Sequence, residues 1–139
     1  MSMARWLAVL LLALTTPLSA HPLAPALLEL RETTPGRYDA LWRTSVLRVR
    51  GTELAPQWPD RCTAEPTVPA VPDGDDALVQ RWSVYCGHGL TGAVLGIAGL
   101  ERSSVNVIVR IEHSGGVTQT LLDAGRPRFA VPPQQRRAP

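Results

Sequence analysis

Residues 78–86, Leu-Val-Gln-Arg-Trp-Ser-Val-Tyr-Cys, form the clearest strand in this chain. Apolar side chains recur at every second position apart from Gln80, which is the spacing of a strand with one buried face. An inward-facing Trp82 beside Cys86 is typical of β-sandwiches in which a disulfide packs against an indole. The stretch therefore predicts a two-layer β fold.

Two hairpins are predicted on either side of this strand. Residues 26–32 and 38–44 alternate with period two, and the Thr-Thr-Pro-Gly-Arg between them has the proline and glycine of a tight turn. The first segment is expected to be an edge or half-buried strand, and Trp42 a core residue. Residues 105–112 are mostly β-branched and are joined by a His-Ser-Gly-Gly turn to residues 117–122, which predicts the second hairpin.

The remaining segments complete an all-β domain. Strands are predicted near residues 93–98 and 129–131, whereas the proline- and aspartate-rich residues 62–77 predict a long surface loop. Its Asp-Gly-Asp-Asp tip lacks the spacing of an EF-hand calcium site. The expectation is an antiparallel, immunoglobulin-like β-sandwich of about seven short strands over residues 21–131, followed by a disordered tail at 132–139. A small barrel is the competing architecture.

The first 20 residues predict an export signal that is helical before cleavage. Arg5 gives a positive start, residues 6–14 a short apolar run, and Leu18-Ser19-Ala20 a small-residue cleavage site. The apolar run is shorter than the roughly 20 residues that span a bilayer. No second hydrophobic segment follows, so the processed chain is expected to be periplasmic or secreted, with no stable membrane insertion.

Cys62 and Cys86 are the two cysteines of the chain. An even number of cysteines in an exported protein predicts a disulfide. The alternative, a pair of metal-binding thiolates, is disfavoured because the two residues lack the CxxC spacing. The expected role is structural.

Charge and composition argue against nucleic-acid binding. The 14 basic and 12 acidic residues leave a net charge of +2, which gives no field that would attract nucleic acid. The arginines are scattered through strand-like segments and do not cluster with aromatic residues. They are expected on solvated strand faces. Examples are Arg43, Arg48, Arg50, Arg81 and Arg110.

The three histidines are the candidate metal ligands. Cleavage after Ala20 would expose the α-amine of His21, which can chelate one ion together with its own imidazole Nδ1. One further imidazole, from His88 or His113, would complete a site suited to Cu(II) or Ni(II). Both lie at predicted turns, so the alternative is that all three histidines are solvated surface residues that bind no cofactor.

The order of several segments resembles the extracytoplasmic N-terminal region of HupE/UreJ-type membrane proteins. The segments are AHPLAPALLELRE, GRYDALWR, LAPQWPDRC, RWSVYC, GLTGAVLGIAGLE, VNVIVRIEHSGGVTQTLL and PRFAVP, and together they cover nearly all of the processed chain. Members of that family continue into several transmembrane helices, and relatives are linked to nickel uptake for hydrogenase or urease maturation. The resemblance implies the soluble module of such a system, without a transport path of its own and without catalytic residues.

Two functions are therefore expected, neither of them enzymatic. The first is a binding or accessory module for a membrane protein, linked to nickel handling. The second is a stand-alone periplasmic copper- or nickel-binding protein that uses His21. The serines of the chain lie in no nucleophile-elbow sequence, so a hydrolase is disfavoured.

Overall fold

The computed structural model describes residues 24–47 and 53–133. The predicted signal peptide, His21, Arg48, Arg50 and the end of the predicted tail lie outside the described residues. Nine strands and a single 3₁₀ turn at Leu100–Arg102 form the described part. The strands are β1 (Ala26–Thr34), β2 (Arg37–Ser45), β3 (Ala55–Gln57), β4 (Cys62–Asp73), β5 (Ala77–Cys86), β6 (Val94–Ala98), β7 (Val107–His113), β8 (Gly116–Leu122) and β9 (Arg128–Ala130).

The strands form two sheets. A large sheet has the order β4-β5-β2-β1-β7-β8, and a small sheet has the order β3-β6-β9. All pairs are antiparallel except β1 with β7, which is parallel. The predicted all-β sandwich is confirmed, with nine strands in place of about seven and a division into six and three.

Both predicted hairpins are present. β1 and β2 pair from Leu27 opposite Arg43 to Thr34 opposite Arg37, and Gly36 in the turn has a φ of 79°. β7 and β8 pair from Val107 opposite Leu122. β1 lies between β2 and β7, so it is an interior strand with one buried face and the alternative of an edge strand is wrong.

The core lies between the two sheets. Trp42 is buried, as predicted, on the same face of the large sheet as Leu28. β6 faces this surface with Leu95 and Ile97, and β9 adds Phe129. The large sheet contributes further buried side chains, namely Ala26, Leu30, Tyr38, Ala40, Val84, Cys86, Val107, Val109, Ile111 and Leu122. Burial of this apolar surface is the main stabilising contribution.

The prediction of a surface loop over residues 62–77 is wrong. Most of this segment is strand β4, which pairs with β5 along the edge of the large sheet, with register shifts between Pro66 and Val68 and between Val68 and Val71. Proline has no N–H to donate to a neighbouring strand, but an edge strand uses only half of its donors within the sheet. The prolines are therefore compatible with β4 because it is an edge.

The predicted disulfide joins Cys62 to Cys86. It connects adjacent strands of one sheet, whereas the bridge of immunoglobulin domains connects two sheets. Cys86 is fully buried and Cys62 is half-buried. Trp82 lies on the same face as Cys86, as predicted, and its ring contacts that of Trp58 edge-on, with 5.5 Å between centroids.

Candidate interaction surface

The outer face of the large sheet, which points away from the small sheet, is the most distinctive surface of the described chain. Side chains alternate along each strand, so the residues that alternate with those of the core between the two sheets share this face. Glu29 on β1 lies opposite Leu41 on β2 and Arg110 on β7. Arg81 on β5 lies opposite Leu41 and extends the same row.

Four charged residues form a network at the centre of the outer face. Glu112 accepts hydrogen bonds from Arg110 Nη2 at 2.8 Å and from Arg31 Nε at 2.9 Å. Arg31 also lies 3.6 Å from Glu29, and Arg110 Nε lies 3.9 Å from the same carboxylate. The two arginines, Arg110 foremost, lower the pKa of Glu112 by donating these hydrogen bonds. The network has no net charge, and its exposed pairs contribute little to stability.

Exposed apolar side chains line both margins of the outer face. Val68 and Val71 on β4 are 46% and 47% exposed, and Val117 and Leu121 on β8 are 55% and 51% exposed. Register places all four on the outer face, opposite Arg81, Val79, Glu112 and Ile108 respectively. β4 and β8 are five strand spacings apart, about 24 Å at about 4.8 Å each. A ligand that contacts both margins must therefore have the size of a protein.

A groove of about 250 Å³ lies between the central network and β4. Its walls carry Glu29 and Asp39 together with Arg31 and Arg81, and Thr67 closes the β4 side. Both signs of charge are present, and none of the charged side chains of the described residues is buried. The groove can accept hydrogen-bonding groups from a partner, while its charges remain in contact with water.

A second concavity of about 410 Å³ lies on the small sheet. Gly96 forms its floor, where the absence of a side chain leaves room for Arg128, and Gln57 and Trp58 line one side. Arg61 also lines it, but its Nη2 donates to the carbonyl oxygen of Thr91 at 2.6 Å. This concavity offers arginine, amide and carboxylate groups, the last from Asp60, but no serine, threonine or cysteine nucleophile among the described residues lines it.

Two of the three predicted metal ligands, His88 and His113, lie within the described residues, near the ends of different strands. His88 lies exposed in the turn after β5, as predicted. His113 ends β7, where burial lowers its pKa and its Nε2 lies 3.4 Å from Thr118 Oγ1. Residues 24–47 and 53–133 contain no group of three or more histidine, cysteine or acidic side chains placed to hold a metal ion. The proposed ligand His21 lies outside these ranges.

Sequence reasoning missed the ion network. It placed Arg110 on a solvated strand face, but that side chain is half-buried and bonded to Glu112. Arg43 is similarly bonded, with Nε 3.1 Å from Asp73. The alternating charges of residues 29–31 and 110–112 are a signal for two solvated strand faces, but only the parallel pairing of β1 with β7 brings them together.

The chain matches no protein-family model, and a search of curated proteins finds no similar sequence. The resemblance to HupE/UreJ-type proteins therefore stays a prediction. Across the described part of the chain, no helix has the length and apolar character needed to cross a bilayer.

Proposed function

We propose that this chain is an exported β-sandwich module without catalytic activity that binds a membrane protein outside the cytoplasm. The observation that carries the proposal is the outer face, where exposed apolar side chains lie at both margins of an ion-paired centre. Contiguous exposed apolar side chains mark protein-binding surfaces, and each margin contributes one pair of such side chains. The distance between the margins favours a protein over a small molecule.

The disulfide supports the proposed location. Disulfides persist in oxidising compartments outside the cytoplasm and are rare within it. The Cys62–Cys86 bridge together with the signal-like residues 1–20 therefore favours the periplasm or the extracellular space. The membrane partner and the link to nickel come from the HupE/UreJ resemblance.

Affinity purification from detergent-solubilised membranes tests the binding proposal. The tagged chain is expected to recover one integral membrane protein, and Val68→Glu or Val71→Glu is expected to abolish recovery because a charge then lies within the apolar margin. Val94→Glu is the matched control, since Val94 is 50% exposed but lies on the small sheet. Recovery that is unchanged in the Val68 and Val71 variants, or lost equally in the control, would contradict the proposal.

A calorimetric titration distinguishes the alternative metal-binding function. Protein that begins at His21 would bind one Cu²⁺ or Ni²⁺ tightly, and an additional residue before His21 would abolish binding because the α-amine is then an amide. Equal binding by the two forms would exclude this site. Binding at His21 with no recovery of a membrane protein would favour the stand-alone function.

A further inference from the structure

The two edges of the large sheet differ in their capacity to pair with another strand. β4 carries Pro66, Pro69 and Pro72, and prolines along an edge block the addition of a further strand. β8, Gly-Val-Thr-Gln-Thr-Leu-Leu, contains neither a proline nor a charge. Natural proteins commonly protect exposed edges with such residues. The absence of both from β8 indicates an edge that pairs with another strand.

The backbone of β8 presents its hydrogen-bonding groups outward. Asp123, which follows β8, donates to the carbonyl of Arg126 and accepts from its N–H, so both groups of Asp123 point away from β7. Alternate residues of a strand direct these groups to the same side. The residues at every second position before Asp123 are Leu121, Gln119 and Val117. Their N–H and carbonyl groups therefore point to the open edge, as those of Asp123 do.

We propose that β8 pairs antiparallel with β8 of a second copy of this chain, with Gln119 on the two-fold axis. This pairing joins two six-stranded sheets into one continuous sheet. Each Val117 then lies opposite Leu121 of the other copy, and each Thr118 opposite Thr120. The three outward-facing residues of each copy oppose one another, which is the arrangement that forms two backbone hydrogen bonds per pair.

The strand that pairs with β8 is β8 of a second copy, because the side chains of the two antiparallel strands complement each other. Leu121 has Ile108 beside it within its own chain, and the proposed pairing places Val117 of the other copy on its other side. The pairing thus gives each of the two most exposed apolar side chains of β8 an apolar cross-strand neighbour. The nearest like charges are the two Arg110 residues, three strand spacings or about 14 Å apart, where salt screens them.

The assembly closes at two copies. A two-fold contact uses the same edge of each copy, and the remaining edges of the joined sheet are the proline-containing β4 strands. The inference goes beyond the proposed function, and its test uses β8 whereas the membrane-partner test uses β4.

Cysteine cross-linking tests the register on protein that retains the Cys62–Cys86 bond. Gln119→Cys is expected to form a covalent dimer alone, because hydrogen-bonded antiparallel pairs have Cα atoms about 5.5 Å apart, within disulfide reach. Val117→Cys and Leu121→Cys are expected to cross-link when mixed and not alone. Cross-linking of Val117→Cys alone, or of all three equally, would contradict this register.

Sedimentation equilibrium over about 1 μM to about 1 mM tests the association itself, since interfaces of small area dissociate in this range. The native chain is expected to dimerise, and Gln119→Lys or Gln119→Glu to weaken dimerisation about fivefold because like charges meet on the axis. An equal mixture of the two variants is expected to restore it. Thr63→Lys on β4 is the control and is expected to leave it unchanged.

A monomer at all concentrations, or charged variants that dimerise as the native chain does, would overturn the proposal. Loss of membrane-protein recovery in Gln119→Lys without any self-association would instead assign the β8 edge to that partner. Val68→Glu is expected to leave the dimer intact. The membrane-protein proposal and the dimer proposal can therefore fail independently of each other.

Discussion

Cys62 and Cys86 lie directly opposite each other in β4 and β5, with Cα atoms 4.4 Å apart. Their bond fixes the start of the proline-containing edge strand to the interior of the sheet. At the far end of β4, Asp73 is bonded to Arg43 of β2. The edge is thus attached at both ends, covalently at one and by an exposed ion pair at the other.

Replacing both cysteines by alanine is expected to lower the free energy of unfolding by about 3.5 kcal/mol, from the loop entropy of a bridge with a sequence separation of 24. Urea unfolding followed by tryptophan fluorescence measures this. The control is the double variant Glu65→Ala with Ser83→Ala, an exposed pair on the same two strands. An equal effect in both double variants would contradict a specific role of the bridge.

Local signals in the sequence predicted much of the fold. Turn residues and period-two alternation predicted both hairpins, and the even cysteine count predicted the disulfide. The proline-rich β4 was missed because proline excludes an interior strand, and sequence spacing does not say which strands are edges. Gln80, the break in the β5 pattern, lies on the inner face and donates from its amide to the carbonyl oxygen of Val68 at 2.6 Å.

The candidate surface was less predictable than the fold. Its network requires β1 to lie beside β7, and Arg31 and Glu112 are 81 residues apart in sequence. Alternation assigns each residue to a face but does not identify the neighbouring strand. Sequence reasoning therefore predicted charged strand faces without their ion pairs.

Gly36→Ala is expected to destabilise the domain more than Gly92→Ala. Both glycines have a positive φ, at 79° and 75°, so each substitution carries backbone strain of roughly 1 kcal/mol. A Cβ at Gly36 would also lie 2.7 Å from the Cys86 carbonyl oxygen, whereas nothing lies within 4 Å of one at Gly92. Thermal unfolding of the two variants measures the difference. Equal losses of stability in the two variants would show that backbone strain alone, and not the close approach to Cys86, determines the destabilisation.

Stability is expected to fall as pH rises from about 10 to about 12, because burial and then a hydrogen bond to Glu32 raise the pKa of Tyr38 from 10.0 to about 12. In this window the unfolded chain loses the phenolic proton and the folded chain keeps it, so unfolding becomes more favourable by up to about 1.4 kcal/mol per pH unit. Urea unfolding across the window measures this. Tyr38→Phe is expected to flatten the dependence, and an unchanged slope would contradict the assignment.

Arg110→Met and Arg31→Met are each expected to raise the pKa of Glu112 towards its ordinary value, because each removes a hydrogen-bond donor from the carboxylate. NMR titration of the side-chain carboxyl carbon measures the pKa. Arg43→Met is the control, since Arg43 is bonded to Asp73. A shift of the same size in the control would indicate a general effect of net charge.

Replacing Pro66, Pro69 and Pro72 by threonine is expected to increase aggregation on heating, because it restores donors along an exposed edge and favours strand structure. Light scattering during a thermal ramp measures the effect. Ala70→Thr is the control, since it adds a threonine to β4 without removing a proline. If the triple variant aggregates no more than this control, the prolines do not protect the edge.

The parallel pairing of β1 with β7 has a consequence for folding kinetics. It divides the large sheet into two blocks, β4-β5-β2-β1 and the β7-β8 hairpin, and each block can form from strands close in sequence. Their junction closes a loop between residues 81 apart, and such distant contacts slow folding because the entropy of closure is lost before the contacts form. β1 therefore gains its neighbour β7 only after a long segment of chain has been brought back to it. The docking of the hairpin onto β1 is expected to limit the rate of folding.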